Sequence, residues 1–205
     1  MVKLAGKSIQ IKILKENDLR AAATICAHAM LNNPIHIRVF GQNENQRLRR
    51  LKHFFPGMLA YVYRKGHIYA AFVEQQMVGV FGFLPPKRCQ PSIIDAVRLL
   101  PSILRSNHLI GLVRVAIWLS TWAKLDPKEP HWHLGPLAVD PQWQQLGIGT
   151  QLFSLVYRKN DGIPLYLETD TLNNAQYYEK FGFSTVNKPT ILGQPCWIML
   201  KKPCQ

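Results

Sequence analysis

Strict alternation of apolar and polar residues at Ile9-Gln10-Ile11-Lys12-Ile13 predicts an opening strand with one face turned inward. The period then lengthens: an alanine-rich run behind Asn17 or Asp18, either of which is a good cap, predicts a helix to about Leu31. Helical spacing returns from Asn43 to Tyr63, and Pro56 is expected to kink or split that element. His67 to Val73 and Met77 to Leu84 form a hairpin across Glu74-Gln75-Gln76, in which Gly79 and Gly82 mark a bulge or the close approach of a ligand. Later strands are expected at Trp132 to Val139, Pro164 to Thr169 and Cys196 to Leu200. Between the fourth and fifth strands, Leu152, Phe153, Leu155 and Val156 give a helix an apolar face.

Residues 85–130 interrupt this series. Pro91 and Pro101 punctuate them, and two helices near 92–106 and 108–124 are expected. A connection this long is often a functional lid; a helical pair that completes the core or an oligomer interface is the other reading. Its most apolar part, Leu109 to Ala123, is too short for a bilayer span of about 20 residues and carries Arg114. Trp118 and Trp122 share one face, which suits either core packing or a helix lying on a membrane surface.

The chemistry concentrates in Leu137-Ala138-Val139-Asp140-Pro141-Gln142-Trp143-Gln144-Gln145-Leu146-Gly147-Ile148-Gly149-Thr150. An apolar strand enters a turn, and the turn delivers two glycines to the start of a helix. Residues without a Cβ let a ligand approach the backbone. The first N–H groups of a helix have no internal partner and sit at the positive end of its dipole, which makes a cradle for pyrophosphate. The third glycine of a dinucleotide fingerprint is replaced by Leu152, and no Gly-Lys-Ser/Thr of a P-loop follows.

Gln144-x-x-Gly147-x-Gly149 resembles the acyl-CoA signature of the GNAT N-acetyltransferases. The likeness extends to Leu167-Glu168-Thr169, to Asn174-x-x-x-Tyr178-Glu179-Lys180-x-Gly182-Phe183, and to Cys196-Trp197-x-Met199. Within the superfamily these resemble the puromycin N-acetyltransferase branch. The resemblance is specific over residues 131–201 and weak before them. It implies an α+β fold: a central mixed, mostly antiparallel sheet of about seven strands flanked by helices, with residues 85–130 inserted before the fourth strand, all in one domain spanning residues 1–205.

The resemblance also implies acetyl transfer from acetyl-CoA to a primary amine of a small acceptor within a ternary complex. On this reading Leu137, Ala138 and Val139 contact the pantetheine and the acetyl group. Backbone N–H groups from Gln145, Leu146, Gly147, Ile148, Gly149 and Thr150 hold the pyrophosphate, and Gln144 is a further cofactor-binding residue. Tyr178 is the general acid for the departing thiolate, and Asn174 contacts the cofactor or caps its helix. Glu168 is the candidate base, with His133 or water as alternatives. A structural carboxylate paired to lysine or arginine is the plain alternative for Glu168, and a core-packed phenol the one for Tyr178. Two other readings stay open: transfer to a protein N-terminus or lysine, and a module that binds acetyl-CoA or nucleic acid without catalysis.

Composition narrows the classes. The chain has 205 residues, 47% of them hydrophobic, enough for a sizeable core. Its formal charge of +13 draws anions and argues mildly against a polyamine acceptor. Arg47-Leu48-Arg49-Arg50-Leu51-Lys52 reads as an amphipathic helix, and without a nucleic-acid motif it argues against nucleic acid as the main partner. Cys26, Cys89, Cys196 and Cys204 lack metal or disulfide spacing, so free thiols in a cytoplasmic protein are expected. The first eight residues lack the apolar run of a signal peptide, and a homodimer is left open. His131 and His133 share a strand face but have no third ligand at a recognisable spacing, so no metal is expected. Cys196 reads as a small core residue, and Trp143 as packing beneath the loop.

Overall fold

The computed structural model describes residues 8–157 and 162–203, so the readings of residues 1–7 and of Cys204 lie outside it. The alternating opening segment is strand β1 (Ile9–Ile13), laid antiparallel on β2 (His67–Val73). Glu74 and Gln75 both take positive φ, the backbone of a two-residue hairpin turn, and lead into β3 (Gln76–Leu84). With β4 (Trp132–Val139), β5 (Leu165–Thr169), β6 (Ser184–Asn187) and β9 (Trp197–Lys201), these make a seven-stranded sheet ordered β1-β2-β3-β4-β5-β9-β6. A small hairpin, β7 (Thr190–Ile191) with β8 (Gln194–Pro195), stands apart. Every pairing in the large sheet is antiparallel except β4 with β5. The mixed, mostly antiparallel sheet that was expected is present.

Helices cover both faces. On one lie α1 (Leu19–Ala29), α2 (Pro34–Phe40) and α3 (Glu44–Lys65), where Ala22, Cys26, Phe40, Leu51, Phe54 and Leu59 are sealed from solvent. On the other, α6 (Ile148–Tyr157) packs Leu152, Phe153 and Val156 against Phe81, Leu165, Leu167 and Met199. The α7 helix (Leu172–Glu179) adds Ala175 to this second core.

Several expectations are corrected. Pro56 does not split α3, in which Leu51, Phe54, Phe55, Leu59 and Val62 on both sides of it are buried. Its start is fixed by Asn43, whose side chain accepts from the Gln46 N–H at 3.0 Å. Asp18 stands at the cap of α1 without a side-chain hydrogen bond, and α1 ends at Ala29. The α2 helix was not foreseen, although Pro34 at its first position is a helix-start signal. Arg47 is not surface charge: 4% exposed, it donates to the carbonyls of Leu31, Gly41 and Gln42 and to Asn32 Oδ1. Arg50 likewise donates to the Phe40 carbonyl.

The insertion holds the two expected helices, α4 (Ile93–Ser106) and α5 (Leu109–Leu125). Ser92 and Asp95 form a capping box at the start of α4, and buried Asp95 pairs with Lys65 at 3.0 Å. Both helices help complete the core, α4 through Leu99 and α5 through Val115 and Trp118. Trp118 packs against His36 and Phe54, and half-buried Trp122 packs against Trp118. The tryptophans therefore face inward, not toward a membrane. Among the described residues no helix is long and apolar enough to cross one.

Candidate active site

A defect in the sheet builds the site. β4 pairs β5 at only two positions, Trp132 with Leu165 and His133 with Tyr166. Beyond them β4 continues along β3 to Val139 while β5 turns away. The register with β3 shifts between Phe81 and Phe83, opposite Gly135 and Pro136, so β4 is bulged where the two strands part. A Cβ on Gly82 would meet Val62 Cγ1 and the Gly135 carbonyl within 3.1 Å. One on Gly79 would meet Leu152 Cδ1 at 3.1 Å and Ile148 Cγ2 at 3.2 Å. The bulge stands, whereas the close approach is made by the protein itself and not by a ligand.

Leu137, Ala138 and Val139 form the end of β4 beside this opening, with Ala138 buried and the other two half-buried. A short turn at 141–143 follows, in which Asp140 accepts from the Gln142 N–H. Trp143 packs against the second core, as read from the sequence. Gln144 turns back to donate to the Val139 carbonyl at 3.1 Å, so its side chain braces the loop. Gln145 and Gly147 take positive φ on either side of Leu146. The first in-helix bond of this turn runs from the Gln151 N–H to the Gly147 carbonyl. The N–H groups of Ile148, Gly149 and Thr150 thus precede any i−4 partner and form the positive end of α6. A Cβ on Gly149 would find only Tyr177 Oη and Val139 Cγ2, both at an ordinary 3.7 Å. No protein atom demands a glycine there.

Two adjacent tyrosines on α7 take different surroundings. The Tyr177 hydroxyl lies 3.5 Å from Thr150 Oγ1, at the mouth of the glycine loop. The Tyr178 ring sits among Phe153, Phe183 and Tyr177, and its hydroxyl has no hydrogen-bond partner among the described residues. Burial pushes the Tyr178 phenol above its ordinary range, so it is protonated at neutral pH. Asn174 does not cap α7. Thr171 does, accepting from the Asn174 N–H at 3.3 Å, which leaves the Asn174 side chain exposed.

On the opposite face of β5 stands a charged cluster. Glu168 Oε2 meets His133 Nε2 at 2.9 Å, not a lysine or arginine. His133 Nδ1 lies 3.3 Å from Asp126 Oδ1, off the angle of a hydrogen bond, so that attraction is ionic. His131 places Nε2 3.2 Å from the same oxygen and Nδ1 2.8 Å from the Glu129 carbonyl. Each imidazole thus faces acceptors from both nitrogens, which suits the doubly protonated form. Burial works against that charge, but the Glu168 and Asp126 carboxylates outweigh it and push His133 up to about 10. For His131, burial is again overcome by Asp126 and other acceptors, to about 10. The two imidazoles in turn hold Asp126 well below the usual carboxylate range against its own burial.

Asp126, which ends α5, is the member that no motif marked. Its only signal was an Asp-Pro step after a long apolar helix. Two groups supply the third partners that the histidine spacing lacked: Asp126, His133 and Glu168, and separately Cys89, His131 and His133, bring ligand atoms within 4.8 Å of one another. The ring nitrogens, however, are committed to carboxylate and carbonyl contacts. One oxygen, Glu168 Oε1, is buried without a hydrogen bond. The Tyr166 hydroxyl nearby is raised by burial and then by that carboxylate's charge. Cys196 is buried in the core and pushed up to about 12 by desolvation, which leaves it no nucleophile.

Comparison with known proteins bears on this geometry. Residues 103–185 match the model of a family described as an acetyltransferase (GNAT) domain. A Corynebacterium glutamicum protein described as histone acetyltransferase HPA2 and related acetyltransferase superposes with a TM-score of 0.70 at 18% identity, covering 97% of this chain and 98% of its own. A mosquito arylalkylamine N-acetyltransferase-like protein gives 0.57 at 17% identity, covering 95% and 100%. Arabidopsis thaliana Naa50, in complex with the bisubstrate analogue CoA-Ac-MVNAL, gives 0.53 at 14% identity, covering 95% and 99%. What is shared at such identities is the fold, and the chain has the GNAT fold.

Proposed function

We propose that the protein is an acetyl-CoA-dependent N-acetyltransferase acting on a primary amine of a small acceptor, folded as one domain over residues 1–205. The observation that carries this reading is the opening between β4 and β5, bordered on one face by the glycine-started helix α6 and on the other by Glu168. An acyl-CoA entering along β4 would lay its pantetheine against the backbone of Leu137, Ala138 and Val139. Its pyrophosphate would meet the N–H groups of the Gln145–Thr150 turn. Acetyl-CoA would supply the thioester, and everything else falls to the chain's own groups.

A neutral amine must attack the thioester, so a proton has to leave the acceptor ammonium. Glu168 suits this role: Oε2 is held by His133, and Oε1 is the buried oxygen left for an entering N–H. His133 does not suit it, because a ring held protonated at neutral pH has no lone pair to offer. Tyr178 would deliver a proton to the departing thiolate from the other side of the strand gap. Its phenol is protonated, and its hydroxyl has no hydrogen-bond partner among the described residues. Acid and base thus stand on opposite sides of the sheet, which suits a donor and an acceptor that meet in the gap. Holding both reactants there would supply much of the acceleration.

The puromycin-type motif likeness points to a small amine of the aminoacyl kind. Thiol release from acetyl-CoA, followed across arylalkylamines, aminoacyl nucleosides, lysine peptides and peptide N-termini, tests the reading. Turnover restricted to small amines supports it. Turnover on peptides alone would replace the acceptor class, and none on any amine would leave only a binding module.

A further inference from the structure

We infer that the outer face of the helical insertion docks onto an anionic lipid bilayer. This rests on the surface alone and does not depend on the proposed chemistry. Of the 12 large hydrophobic side chains exposed among the described residues, nine lie on α4 and α5. On α4 they recur at Ile93, Val97, Leu100 and Leu104, one stripe of a helix, with exposures of 85, 58, 47 and 57%. On α5 the exposed apolar positions are Leu109, Ile110, Val113 and Ile117. The inward faces of the same helices are already satisfied through Leu99, Val115 and Trp118. The outward stripes are therefore surplus to the core.

The occupant follows from charge and composition. Lys87, Arg88, Arg98, Arg105 and Lys124 are exposed on or beside these helices. The one acid between residues 85 and 125 is Asp95, which is buried and paired with Lys65. A second copy docking by the same face would set these cations against one another. Protein interfaces favour aromatic and methionine anchors, whereas this outward face is isoleucine, leucine and valine, with the tryptophans turned inward. Aliphatic stripes flanked by uncompensated cations, on a protein of charge +13, fit an anionic headgroup layer with apolar tails beneath it.

The test is co-sedimentation with phosphatidylcholine vesicles, with and without phosphatidylglycerol. Binding on the order of tenfold stronger to the anionic vesicles, weakened in high salt, is expected. Val97→Glu/Val113→Glu and Arg98→Glu/Arg105→Glu, all at exposed positions, should each abolish the difference while leaving Tm unchanged. Equal binding to both vesicles, or binding to neither, overturns the inference. So does a concentration-dependent dimer that the Val97→Glu/Val113→Glu variant turns into a monomer at unchanged Tm.

Discussion

Glu168 and Tyr178 separate cleanly in what their loss should do. Glu168→Gln keeps an acceptor toward His133 but no longer takes a proton, so kcat should fall by about 10²–10⁴-fold with acetyl-CoA affinity unchanged. Tyr178→Phe should behave alike, whereas Tyr177→Phe, at the loop mouth, should move acetyl-CoA affinity more than kcat. Steady-state kinetics beside direct binding would distinguish the three. The histidines write their own pH dependence. His131 and His133 are raised from 6.5 to about 10, so their stabilisation is complete below about 6.5 and is lost as pH climbs through about 10. Denaturant midpoints of the wild type should drop between neutral pH and pH 10, and a His131→Asn/His133→Asn variant should drop less. Glu168 was legible from its motif; its partners were not, because Asp126 and His133 meet it only through the parallel step from β4 to β5.

At the scale of elements, the strand-turn-helix unit carries the sharpest contrast. Gly147 takes φ +76°, so Gly147→Ala should cost about 1–2 kcal/mol of stability. Gly149 has room for a methyl group within the protein, and alanine is the better helix former by about 1 kcal/mol. Gly149→Ala should therefore hold or raise Tm while weakening acetyl-CoA binding, since only the ligand needs that space. Unchanged affinity would remove the loop from the cofactor site. Arg47→Met should destabilise by about 2–4 kcal/mol, because it strands the carbonyls that tie the α1–α2 and α2–α3 connections to α3. Strands and the insertion helices were readable from period and proline placement. Arg47 misled, since its charge was read locally whereas tertiary packing buried it.

Across the whole molecule, hydrophobic patterning identified the sheet and its helices but not which cations would be structural and which free. It placed the insertion without showing that one face completes the core while the other stays open. The proposed division of labour between the two sheet faces, donor on the α6 side and acceptor on the Glu168 side, rests on the place where β4 and β5 part. That division requires the cleft to take acetyl-CoA. The most direct measurement is a thermal-shift titration with acetyl-CoA against ATP, on the wild type and Gly149→Ala. A ligand at 100 times its dissociation constant adds about 2.7 kcal/mol to stability. A saturable shift specific to acetyl-CoA, moved to higher concentration by Gly149→Ala, is the predicted result; no shift at millimolar acetyl-CoA would contradict the account.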